Sequence, residues 1–578
     1  MIEEVPLPLT PGQRFWRLLK PDRKEIWNVY TYSVVSVLVN LSLPLGIQAI
    51  INLIQGGRVT TSWIVLVGLV VLGVLISGLL QISQLRITEN LQQKIFTRAA
   101  FEFSYRIPRI KMEALYRHYV PELMNRFFDI VTVQKGLAKM LIDFSSATLN
   151  VVFGLVLLSL YHPFFILFSL ILMVLVFGVF RLTINRGLRT SLKESKHKYQ
   201  VVHWLEELAR THTTFKLAGA TDLPLHRTDG HVADYLRERE NHFRVLVQQF
   251  GLMVVFKALV TTGLLLLGGI LVMDQQMNIG QFVAAEIIIL IVLASVEKLV
   301  LTMETVYDVL TALEKVGQVT DLELESRSDQ AIVLPDAPEG LTVRLQQVSF
   351  SYPDQTRPVL DGLSLTVEPG DRLLVLGGNG SGKSTLLNML AGLYEPQTGA
   401  ISYDGLPRGN LDLTALRSQI GDCLIQEHLF QGTLLENIAM GRKEATLENV
   451  QWAMHHLNLE DFVRSLPQGY NTVLDPQGKK LARSTVQKLL LARSIADKPR
   501  MLLLDDPFEQ IAAEDRQRIM AFLAAPDHRW TLVVSAPDQG LQGLCTKVLR
   551  LERGRIVEPS SANQPGDSTL NEDPLHHA

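Results

Sequence analysis

The chain is expected to fold as an α-helical transmembrane domain of six spans followed by an α/β P-loop domain, and three observations predict this. Long apolar runs crowd the first half of its 578 residues and are nearly absent from the second. Mean hydropathy is positive, with 47% hydrophobic residues, which is high for a soluble protein. In the second half, Gly377-Gly378-Asn379-Gly380-Ser381-Gly382-Lys383-Ser384 fits the pattern G-x-x-x-x-G-K-[ST]. A chain this long needs more than one core.

The apolar runs fall at roughly 26–54, 62–84, 141–160, 163–183, 250–273 and 281–305. Each is near the ~20 residues that cross ~30 Å of hydrocarbon. Basic residues set their orientation. Arg14, Arg17, Lys20, Arg23 and Lys24 precede the first run, and many more lie in 86–139 and 181–248. The connections at 55–61, 161–162 and 274–280 hold only Arg58. Both termini are therefore expected on the cytoplasmic side of a bacterial-type inner membrane, with His162-Pro163 in a short outer turn. The two long inner connections read as helical; out and back, each would project roughly 40 Å. Breakers in 107–121 and 211–224 mark their reversals.

Phe15-Trp16-Arg17-Leu18-Leu19-Lys20 reads as a short interfacial helix within a cytoplasmic segment 1–25. The expected domains are 26–315 for the membrane part, 316–340 for an acidic, proline-containing linker, 341–558 for the P-loop part and 559–578 for a disordered tail. A net charge of −3 makes no case for nucleic-acid binding. Cys423 and Cys545 have no ligand spacing around them and are expected as reduced thiols. The acidic, proline-rich first residues do not form a cleavable signal peptide.

The P-loop pattern gains weight from its setting. Arg372-Leu373-Leu374-Val375-Leu376 before it is strand-like, and Thr385-Leu386-Leu387-Asn388-Met389-Leu390 after it is helix-like. Glycines let backbone N–H groups turn towards phosphate oxygens, and the helix N-terminus adds a favourable field. Lys383 would reach the β- and γ-phosphates of ATP, and the Ser384 hydroxyl would ligate Mg²⁺. Within the spans, Lys257 and Glu297 lie at similar depth and are expected to pair. Glu286 has no evident basic partner and is the candidate for a substrate path.

Six spans with long inner connections, joined to a P-loop domain, resemble a half-transporter of the ATP-binding-cassette (ABC) exporter family, over nearly the whole chain. Tyr352, in Phe350-Ser351-Tyr352, resembles the aromatic residue that stacks on adenine. Gln426, in Ile425-Gln426-Glu427, resembles the Q-loop glutamine, which approaches Mg²⁺ and the γ-phosphate. Met501-Leu502-Leu503-Leu504-Asp505 resembles Walker B, whose carboxylate holds the Mg²⁺ shell. Leu551 to Val557 matches the closing hairpin. The ATP-binding set implied is Tyr352, Gly377 to Thr385 and Gln426, with Ser384, Gln426 and Asp505 around Mg²⁺.

Departures begin after Asp505. The family's catalytic glutamate is replaced by Asp506, one methylene shorter, and a ~1 Å misplacement can cost on the order of 10²-fold in rate. The family's switch histidine is replaced by Pro537, which has no side-chain donor; one such loss typically costs ~10²–10³-fold. The signature LSGGQ aligns with Leu481-Ala482-Arg483-Ser484-Thr485. Arg483 there either obstructs closure or offers its guanidinium to the partner's γ-phosphate, obstruction being the favoured reading.

The resemblance implies a dimer, homo- or heteromeric, because each ATP site borrows a signature from its neighbour. The expected function is ATP-driven export of a substrate that the sequence does not identify, with slow hydrolysis. The alternative is a membrane-bound regulatory or scaffold subunit that binds ATP without turning it over. No N-terminal peptidase-like segment is read, which weighs against a processing exporter of peptides.

Overall fold

The computed structural model describes residues 9–55, 61–325, 331–353, 355–424, 428–536 and 540–557. It divides into two compact units: Met1–Arg109 with His118–Glu323, and Ile110–Arg117 with Leu324–Ala578.

The first unit is helical. Its long helices are Arg23–Gln55, Thr61–Arg106, Ser145–Ser159, Pro163–Arg210, Leu223–Met273 and Ile279–Thr320. Among the described residues, six helical stretches are long and apolar enough to cross a membrane. Pro163–Arg210 has 48 residues, so it runs about 72 Å at 1.5 Å per residue. Only its first part is apolar, and the rest is the helical extension that the charged connections predict. His162 starts this helix, its Nδ1 accepting the Phe164 N–H at 3.4 Å, while Pro163 takes the first turn, where no amide is needed. The third crossing is one continuous helical path from Asp129, through a π-turn at Met140–Phe144, to Ser159. Asp143 in that π-turn pairs with Lys298 at 2.8 Å.

The buried apolar faces of the third to sixth helices form one core that includes Leu155, Phe165, Phe256, Val260, Ile288 and Val292. The expected pair forms, with Lys257 Nζ bonded to Glu297. Glu286 is half-buried and has no ion pair among the described residues. The helix at Pro11–Leu19 is capped reciprocally by Thr10 and Gln13. One face of it is packed, while Trp16, Arg17 and Lys20 on the other are exposed. Phe15 and Leu18 pack against Val133, Val309, Ala312 and Leu313, and Arg14 pairs with Glu314 and Asp321 of the sixth long helix.

The second unit is α/β. Its six-stranded sheet runs in the order Arg555–Val557, Lys547–Glu552, Arg372–Leu376, Thr531–Ser535, Met501–Asp505, Ile420–Cys423. All neighbours are parallel except the closing hairpin. Met501–Asp505 and Thr531–Ser535 are buried along their whole length, as expected of strands covered on both faces. A four-stranded antiparallel sheet, built around Val343–Phe350, packs its apolar face with the Lys383–Leu390 helix in a common core. Neither cysteine forms a disulfide, and Cys423 Sγ accepts from Gln487 Nε2 at 3.4 Å.

Ile110–Arg117, one of the two predicted reversals, packs as part of this unit. Ile110 bridges Leu324, Met112 joins the apolar core, and the Glu113 carboxylate accepts the Glu395 N–H at 2.9 Å.

Candidate nucleotide site

The parallel strands bring their carboxyl ends to one edge of the sheet, where ligands of open α/β folds bind. There the chain turns from Arg372–Leu376 through the glycine-rich loop into Lys383–Leu390. Two glycines are structurally required. A Cβ on Gly377 would lie 2.5 Å from both Leu551 O and Ser381 Oγ, and Gly382 has φ +105° with Val359 O 2.9 Å from a Cβ position.

Lys383 folds over the loop, its Nζ donating to Gly377 O at 2.7 Å and Gly378 O at 3.1 Å. Ser381 Oγ is buried without a hydrogen-bond partner. A cation held in the loop mouth and an unsatisfied hydroxyl beneath it suit a phosphate anion. Gly378, Asn379 and Gly380 form the exposed rim, and Ser384 and Thr385 open the helix.

Asp505 is buried at the end of its strand and accepts the Ser535 hydroxyl from the next strand. Ser535 also takes the Asp506 amide, at 3.1 Å to its carbonyl and 3.3 Å to its hydroxyl. Asp506 is half-buried with φ +44°, a left-handed conformation that aspartate tolerates better than most residues. Among the described residues no cluster of three His, Cys, Asp or Glu could hold a metal. Mg²⁺ of the kind that travels with nucleotide phosphates fits Ser384 and Asp505, because it needs only one or two protein oxygens.

Tyr352 lies beside the loop. Its hydroxyl bonds Thr385 Oγ1 at 3.0 Å, and its ring stacks on Tyr116 with centroids 5.3 Å apart and 18° between planes. Phe350 and Tyr394 meet it edge-on at 5.1 and 5.5 Å. Burial pushes the Tyr394 hydroxyl up to about 12, so it stays a neutral wall beside Tyr352.

Of the signature residues, Leu481 is half-buried against the core. Ala482 is the N-cap of Arg483–Ile495, with φ −62° and ψ 141° and no side-chain cap bond. A serine there would cap the exposed amides. Arg483 is exposed and forms no ion pair or hydrogen bond among the described residues. Gln426 and Pro537 lie outside the described residues.

Three contributors escaped sequence reasoning: Ser535, Tyr116 and Gly554. Gly554, in the Arg553-Gly554 turn of the closing hairpin, donates its amide to Ser381 O at 3.0 Å and so braces the loop. An Arg-Gly pair between two apolar runs signals a hairpin turn, but nothing local says where that turn lands.

A chain with six membrane-crossing helices and a phosphate loop at the carboxyl edge of a parallel sheet is a membrane-bound P-loop ATPase by class. Residues 360–509 match the ABC transporter family, and residues 26–296 match the ABC transporter transmembrane region. The chain is 24% identical over 549 residues to the transport/processing ATP-binding protein ComA of Streptococcus pneumoniae, covering 94% of this chain and 76% of that protein. It is 26% identical over 392 residues to the ATP-dependent lipid A-core flippase of Chromobacterium violaceum, covering 68% and 67%. A bacterial Atm1-family ABC exporter solved with ATP bound superposes with a TM-score of 0.80 at 20% identity, over 93% of this chain and 95% of that one. The chain belongs to the ABC transporter family, as an exporter of the half-transporter type.

Proposed function

We propose that this half-transporter, as one member of a dimer, grips ATP–Mg²⁺ well and hydrolyses it slowly. The observation that carries the reading is the contrast within one chain: the glycine-rich loop and Asp505 are held for binding, while Asp506 beside them, and Ala482 and Arg483 in the segment offered to the partner's site, depart from the family's cleavage parts. Bound Mg²⁺ would supply charge neutralisation between the β- and γ-phosphates. Lys383 would leave its loop carbonyls to meet the phosphates, and Tyr352 would stack on the base. Asp506 would orient the attacking water from a stem one methylene short.

Closure on ATP would pull on Ile110–Arg117, which packs with the nucleotide unit, and so move the long helices to which it is chained. In a homodimer both sites would carry the altered residues. A partner with intact Walker B and switch residues would leave one site partly working. Export across the cytoplasmic membrane, with both termini inside and Glu286 on the substrate path, completes the reading.

Purified protein tests it. ATP should bind with Mg²⁺, and phosphate release should be slow yet abolished by Lys383→Ala. ATP binding with no release at all, alone or with a second half-transporter, would instead establish a regulatory subunit.

A further inference from the structure

A cavity of about 840 Å³ lies among the polar extensions of the helical unit, between Val120–Asn125 and the ends of Pro163–Arg210, Leu223–Met273 and Ile279–Thr320. Lys315 lines it and is only 7% exposed. Among the described residues its ammonium has no hydrogen bond or ion pair; the Tyr199 ring lies 5.3 Å away, and the Asp129 and Glu314 carboxylates act on it only at longer range. Arg126 lines it too. Its Nε reaches Gln318 at 3.1 Å and its Nη2 reaches Glu122 at 3.0 Å, while Nη1 is buried without a partner.

The nearby carboxylates are engaged. Asp129 accepts the Tyr199 hydroxyl, Glu122 also lies 3.1 Å from His203 Nδ1, and Glu207 takes Arg210 Nε at 3.1 Å. Lys196 and Arg227 line the same cavity and have no ion pair among the described residues, Arg227 lying 5.1 Å over the Trp204 ring. Asp129 and Glu314 offset Lys315 only at a distance, and a buried ammonium beside a half-satisfied guanidinium is stabilised by an anion in direct contact.

We propose that this cavity binds a phosphate-type oxyanion, with Lys315 and Arg126 Nη1 as inner donors and Lys196 and Arg227 at the rim. A guanidinium offers the fork that suits a tetrahedral oxyanion, and an ammonium supplies the point charge. Lys315 lies about 15 Å along its helix beyond the last apolar run. At that distance from the hydrocarbon the oxyanion belongs to a soluble molecule rather than to a lipid head group. The site is independent of the nucleotide site and stands whether or not hydrolysis is slow.

The test uses the full chain in detergent carrying Lys383→Ala, so that the glycine-rich loop no longer binds phosphate tightly. Thermal unfolding is titrated with inorganic phosphate against chloride at matched ionic strength. A saturable rise in Tm is expected. Adding Lys315→Met should raise the Tm without phosphate and remove the phosphate-dependent rise, whereas Lys315→Arg should keep it. Arg227→Gln should weaken half-saturation by roughly tenfold. A rise that is absent, or that persists undiminished with Lys315→Met, overturns the proposal. In a second arm, nanodiscs of phosphatidylglycerol and phosphatidylcholine are compared without added phosphate. A Lys315-dependent stabilisation found only with phosphatidylglycerol would assign the oxyanion to a lipid head group and overturn the soluble assignment.

Discussion

Asp506 satisfies an unusual backbone position with a side chain one methylene shorter than the family's glutamate. Its φ of +44° and its amide bonds to Ser535 hold it in a left-handed turn, where aspartate is enriched and longer side chains are strained. Asp506→Glu should therefore raise phosphate release on the order of tenfold while lowering the Tm of the nucleotide domain; kinetics and calorimetry on one preparation check both. Ser535→Ala should release Asp505 and weaken Mg²⁺-dependent ATP binding several-fold, read as a higher Mg²⁺ requirement. Asp497 supplies a pH effect. It is buried, and although it pairs with Arg442 at 2.7 Å, desolvation pushes its carboxyl up to about 6. The folded state thus holds a proton that the unfolded chain releases near 4. The stabilisation is complete below pH ~4 and is lost as pH rises through ~6, on the order of 3 kcal/mol at most. Asp497→Asn should flatten that slope in thermal melts.

At the scale of elements, two packings carry testable weight. Glu113 fastens Ile110–Arg117 through the Glu395 amide, and Tyr116 stacks on Tyr352. Glu113→Ala should leave ATP affinity within about twofold, since one exposed hydrogen bond is worth only ~1 kcal/mol. It should reduce the protection that ATP gives the 86–139 connection against trypsin. The Lys257–Glu297 pair links the fifth and sixth long helices. Lys257→Met should lower the Tm by stranding Glu297, and the double variant Lys257→Met with Glu297→Leu should recover most of the loss. A double variant as unstable as the single one would mean that the two side chains do not act as a pair.

At the scale of the whole molecule, legibility followed the range of the forces involved. The six spans could be read because hydrocarbon selects on residue type over ~20 consecutive positions. The glycine-rich loop could be read because phosphate binding needs glycines at fixed local spacing. The Lys257–Glu297 pair followed from depth along two adjacent helices. The third crossing was legible in the apolar run 141–160, but its π-turn at Met140–Phe144 had no such local signal. The Pro11–Leu19 helix has aromatic and basic residues that suit a membrane surface, and local pattern did not show that Arg14 and Phe15 also serve a packed contact.

The sequence by itself determined the fold class, the order of the two domains and the place of the glycine-rich loop and of the departures from the family's motifs. Each of these is written in contiguous residues. The tertiary structure alone decided that Ser535 pins Asp505 and Asp506, that Gly554 braces Ser381, that Tyr116 covers Tyr352 and that Lys315 lines a cavity with no ion pair among the described residues. These contacts join residues tens to hundreds of positions apart. Their energy depends on burial and geometry that no local pattern encodes.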